Sequence, residues 1–81
     1  MNFLDYAAEK GMQLLKDDRI FIANRIANLS IEQRKAILRR YIEIWCQAMS
    51  ECDIVQQQQN AGRKKANLYL LGLSNAKNGT C

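Results

Sequence analysis

No proline and no histidine occur in this 81-residue chain, and glycine appears only four times. Loop-rich and β-rich domains draw on proline and glycine for their turns, so their scarcity points away from those classes. The missing histidines take away the usual general base and the usual partner of a nucleophilic serine or cysteine. They also remove a common zinc ligand, and three cysteines, at 46, 52 and 81, do not complete a structural zinc set. An odd cysteine count does not make a disulfide framework either. On one helix, Cys46 and Cys52 would diverge by roughly 240° and sit about 9 Å apart along the axis. That is too far to bridge. Both are expected as small buried apolar residues, and Cys81 as a free terminal thiol with no prenylation signature.

Long apolar runs are missing as well. Asp5 and Glu9 interrupt the first fifteen residues where an export signal would need an unbroken apolar stretch. No window approaches the ~20 apolar residues of a membrane span. Asn78-Gly79-Thr80 matches a glycosylation sequon, which in a chain without an export signal reads as a coincidence. There is no glycine-rich phosphate loop, and the close acids Asp17-Asp18 and Glu51-Asp53 fit helix caps better than a catalytic pair. The expectation is a cytoplasmic, non-enzymatic chain with no catalytic residue, no cofactor, no metal and no membrane partner.

What is present is the composition of an ordinary globule, 48% hydrophobic and 25% charged. The fold class expected is all-α, a small compact bundle of three to four helices with a long apolar central helix. Residues 1–73 form a single helical domain, with 74–81 as a flexible tail. A first helix is capped by Asn2 and carries Phe3, Leu4, Ala7, Ala8, Met12 and Leu15 at helical spacing, with Gly11 either weakening its middle or letting another backbone come close. Asp17 or Asp18 caps a short second helix over residues 19–28. Its apolar face is Ile20, Ile22, Ala23, Ile26 and Ala27, with Phe21 to one side.

The clearest boundary is "NLSIEQRK", where Ser30 and Gln33 make a capping box and Glu32 suits the helix dipole. The third helix runs from there at least to Met49. Ile37, Leu38, Tyr41, Ile42, Ile44, Trp45, Ala48 and Met49 cover well over half its circumference, which places it at the centre. Between Ser50 and Asp53 the helix either breaks or continues; the pattern allows both. Farther on, Val55, Gln59, Gly62, Ala66, Tyr69, Leu70 and Leu73 share one helical face. Arg63, Lys64 and Lys65 take the other directions, with Asn60 and Asn67, and are expected outside.

Net charge is +4, and the cations cluster. Residues 33–40 hold four cations and no acid, and so do residues 54–81, whereas the first 32 residues hold four cations against five acids. Two concentrated basic faces on a small helical chain fit an acidic partner. The candidate contact residues are Arg34, Lys35, Arg39 and Arg40 on the third helix, and Arg63, Lys64 and Lys65 on the last. The leading expectation is a protein-interaction module whose partner is an acidic protein surface, an inhibitor or modulator of a larger host or mobile-element machine. The alternative is a helix-turn-helix-like DNA-binding protein with residues 30–40 as the recognition segment, since Ser30, Gln33, Arg34 and Lys35 are types that reach bases and phosphates. A homodimer is also left open by the pattern.

Overall fold

The computed structural model describes residues 3–76. Within them lie four α-helices, a 3-10 turn and no strand, so the expected all-α bundle is what forms. Helix α1 is Phe3–Glu9, α2 Lys16–Ile26, α3 Ile31–Ser50 and α4 Gln58–Ala76, with the 3-10 turn Val55–Gln57 leading into α4. No helix among the described residues is long and apolar enough to cross a membrane.

Helix α1 is shorter than its periodicity suggests, and Gly11 is the reason. This residue sits at φ +83°, a left-handed conformation that glycine adopts without penalty. The Gly11 N–H donates to Ala8 O at 3.0 Å and the Met12 N–H to Ala7 O at 3.1 Å, the paired bonds of a Schellman stop. Ala7 and Met12, brought together by that stop, are both buried. Gly11 therefore ends the helix instead of weakening its middle, and Leu15, expected on its apolar face, is 58% exposed. Asn2, the expected cap, lies outside the described residues.

Helix α2 starts earlier than expected. Leu15 is the N-cap, and its backbone N–H donates to Asp18 Oδ2 at 3.0 Å, so the acid caps from inside the first turn. The buried line is Asp18, Ile22 and Ile26, one residue per turn. Ile20, Ala23 and Ala27, expected on the apolar face, are exposed. The inward stripe of so short a helix is a single row.

Helix α3 begins as its sequence dictates. The Ser30 Oγ accepts from Gln33 N at 3.1 Å and the Gln33 Oε1 accepts from Ser30 N at 3.1 Å. Its inward face buries Tyr41, Ile42, Trp45 and Ala48. The helix stops at Ser50, whose hydroxyl donates to Gln47 O at 2.7 Å, and the chain turns through residues 51–57. Of the two possibilities at Ser50–Asp53, the break is the one that occurs. Val55 falls in the 3-10 turn, out of phase with α4, and is 74% exposed instead of facing the core. Cys46 and Cys52 are free thiols and half-buried, short of the full burial expected.

Helix α4 runs back along α3 and also touches α2. It continues through Ala76, three residues into the stretch read as tail; residues 77–81, with the sequon at 78–80 and Cys81, lie outside the described residues. Gly62, Ala66 and Leu70 form its buried line. Gly62 is where α4 meets the Trp45 indole. A Cβ added there would lie 2.6 Å from Trp45 Nε1 and 2.8 Å from its Cγ. Helix propensity alone would make Gly62→Ala stabilising by ~1 kcal/mol. Crowding against a ring that is itself fully buried reverses the sign, and a net loss of about 1–3 kcal/mol is expected. Thermal melts of the two proteins check it; a higher Tm for the alanine variant would show that the indole can move.

Candidate functional site

The cations expected to form the partner surface divide into two groups, one tied into the fold and one facing solvent. Arg63 belongs to the first, against expectation. Its Nε lies 2.9 and 3.0 Å from the two carboxylate oxygens of Asp18, and its terminal nitrogens donate to Asn60 Oδ1 at 2.9 Å and to Gln13 O at 3.1 Å. The guanidinium carbon also stands 5.2 Å from the centre of the Trp45 ring. Asp18 is 5% exposed, so its charge is taken from water and returned to one cation and one backbone N–H. The "RKK" run hides this asymmetry. On a helical wheel Arg63 lies roughly 60° from Ala66, while Lys64 and Lys65 lie about 160° and 100° away.

Gln59 completes the same polar cluster one turn earlier. Its Oε1 accepts from Trp45 Nε1 at 3.2 Å and from Gln13 N at 2.9 Å, and its Nε2 donates to Gly11 O at 2.8 Å. Farther along, Tyr41 donates from its hydroxyl to Asn67 Oδ1 at 2.7 Å. Among the described residues no buried side-chain nitrogen or oxygen lacks a partner. Periodicity assigns Gln59 to the inward face but gives it no role. A glutamine in a line of small and apolar residues is the available signal that something inside needs hydrogen bonds.

Burial, and then the nearby charge of Asp18, push the Tyr41 phenol above its ordinary value of 10.0, with Arg63 pulling the other way. The folded chain therefore holds this proton where the unfolded chain releases it. Stability from Tyr41 is fully present below about pH 10 and falls as pH rises beyond it, by up to about 1.4 kcal/mol per pH unit. Tyr41→Phe should lower stability at neutral pH by about 1–2 kcal/mol, because Asn67 loses its donor, and should shed this part of the alkaline decline. Urea unfolding on either side of pH 10 measures both; an equal decline in the two proteins would remove Tyr41 from the cause.

Arg34 is the second cation drawn into the fold. Its Nε donates to Ile26 O at 3.1 Å and an Nη to Ala27 O at 2.6 Å, closing the carbonyl end of α2. Arg40 lies 3.4 Å from Glu43, with both side chains more than half exposed. A pair so open contributes little. Lys35, Arg39, Lys64 and Lys65 are exposed and make no ion pair among the described residues. The seven candidates are not all presented to solvent, since Arg34 and Arg63 are bound into the fold. The solvent-facing ones lie on two helices, and on α3 Glu32 and Glu43 stand exposed among them. On α4 no acid interrupts them.

Two further places carry polar chemistry. An open groove of about 280 Å³ is lined mainly by Leu4, Ala8, Met12 and Leu14, with Gln13 and Arg19 as its polar groups. That lining holds neither a carboxylate nor a thiol. Cys46 lies 3.9 Å from Lys10 O, and burial raises its thiol pKa, the opposite of what an activated cysteine requires. Among the described residues no cluster of His, Cys, Asp or Glu has the arrangement of a metal site. No family model, no curated protein and no solved structure matches this chain.

Proposed function

We propose that this chain is a small non-enzymatic, cytoplasmic interaction module that sets cationic helix faces against an acidic surface of a larger protein, inhibiting or modulating the machine to which that protein belongs. The observation that carries the reading is the contrast within α4. Arg63 is bound inward to Asp18, while its neighbours Lys64 and Lys65 face solvent on a stretch, residues 54–81, that contains no acid. A charge pair that fixes the helix rotation keeps the two lysines presented. The contact set is therefore narrower than seven residues: Lys64 and Lys65 first, then Lys35 and Arg39, with Arg40 beside Glu43 on the surface and Arg34 and Arg63 supporting the fold.

The test is recovery of the partner from native host extract, with and without nuclease, by the parent chain and by a Lys64→Gln/Lys65→Gln variant. Glutamine keeps helix propensity, so each exposed substitution should change stability by less than about 0.5 kcal/mol. The expected result is a stoichiometric protein that survives nuclease and binds the variant more weakly, with a flatter dependence on salt. Recovery of nucleic acid alone would favour the helix-turn-helix alternative. In that reading Lys35 and Arg39 would have to make the contacts, because the Arg34 guanidinium and the Gln33 Oε1 are occupied by capping bonds.

A further inference from the structure

The outer side of α4 is more than a pair of lysines. Away from the buried line of Gly62, Ala66 and Leu70, at 100° per residue, Ala61, Lys64, Leu68 and Leu71 point outward, with Lys65 and Gly72 to one side of them. Leu68 is 53% exposed, Lys64, Lys65 and Gly72 are exposed, and Ala61 and Leu71 are half-buried. A Cβ built on Gly72 meets nothing within 4 Å, so another backbone can approach there. The strip is straight, about 16 Å long, and follows the three-and-four spacing that a second helix needs for close packing. Leu68 and Leu71 are its apolar part, Lys64 and Lys65 supply the cations one turn before them, and the chain from residue 54 onward supplies no acid to balance that charge.

We propose that this strip docks an amphipathic helix of a partner protein, apolar along one face and acidic at its edge. Leucine-sized side chains of the partner pack between Leu68 and Leu71 and over Gly72, and carboxylates a turn away meet Lys64 and Lys65. This rests on the acidic-partner reading and narrows it from a surface to a helix. A second copy of the chain is a poorer occupant, since it brings the same two lysines and no acid to the contact. Nucleic acid would reward the lysines but set Leu68 and Leu71 against phosphate and sugar.

The experiment uses the full chain and defined probes: a synthetic helical peptide with leucine on one face and glutamate at its edges, the same peptide with lysine for glutamate, a DNA duplex, and vesicles containing phosphatidylserine. Affinities are measured by titration at low and high salt, with Leu68→Ala and Lys64→Gln/Lys65→Gln alongside the parent, and melting curves show that each variant is folded. The expected result is saturable binding of the glutamate peptide alone. Leu68→Ala should weaken it about tenfold, and the double glutamine variant should weaken it and flatten its salt dependence. Binding of the glutamate peptide that is indifferent to Leu68→Ala overturns the strip while leaving an acidic partner standing. Preference for duplex, vesicle or the lysine peptide, or no binding at all, overturns the strip and the acidic-partner reading together. A concentration-dependent dimer abolished by Leu68→Ala overturns the proposal in favour of self-association.

Discussion

Trp45→Ala should destabilise the fold by about 3–5 kcal/mol, which for a domain of this size is most of what holds it folded. The indole is fully buried, and four residues shape its surroundings. Gly62 gives it room on α4, and the Tyr41 ring packs against it with centroids 5.9 Å apart. Arg63 covers its face and Gln59 accepts its N–H. Alanine would leave a ring-sized hole, because the glycine opposite cannot collapse into it. It would also free Gln59 Oε1 from one of its two donors. Chemical denaturation read by circular dichroism measures the loss. A variant melting within a few degrees of the parent would mean that the indole is not a core group.

Arg63→Gln is expected to cost about 3 kcal/mol, the low end for breaking a buried ion pair, because the arginine side chain retains 21% exposure. Most of the loss comes from Asp18, left charged and 5% exposed with only the Leu15 N–H to answer it. The lysines beside Arg63 provide the internal control, since Lys64→Gln and Lys65→Gln change nothing inside. Adding Asp18→Asn to Arg63→Gln should recover part of the loss, giving a double variant about 1–3 kcal/mol better than the sum of the singles. Strict additivity in that cycle would show that the two side chains act independently, and Arg63 would then not be the counter-charge that Asp18 requires.

How much the residues disclose in advance follows from range. The Ser30–Gln33 capping box spans three positions and depends on no other part of the chain, so its pattern specifies the α3 start directly. The inward row of α3, and Gly62, Ala66 and Leu70 on α4, repeat with the helix and are equally local. Gly11 is visible but ambiguous, because a glycine inside an apolar repeat can weaken a helix or stop it, and tertiary closure around Met12 decides. Arg63 misleads because its partner is 45 positions away. A run of three cations looks solvated until Asp18 falls in line with Ile22 and Ile26. Arg34 misleads for a related reason: the carbonyls it caps belong to the preceding helix, which ends at Ile26. Of the candidate surface, the lysines of α4 can be read from the chain. Leu68, one turn beyond them, cannot be assigned to solvent until the rotation of the helix is known.

The polar cluster also has a kinetic meaning. Gln59 and Arg63 reach the 11–18 stretch across separations of 45 to 50 positions, whereas α3 and α4 meet through a short turn. Closing the short α3–α4 hairpin costs less chain entropy, so it should be the part already ordered at the folding barrier. The N-terminal third then docks late, when the arginine finds its carboxylate. Interactions formed after the barrier act as a latch: weakening them leaves the folding rate nearly unchanged and speeds unfolding. Arg63→Gln should therefore shorten the lifetime of the native state, while Trp45→Ala, at the hairpin's own seam, should slow its formation.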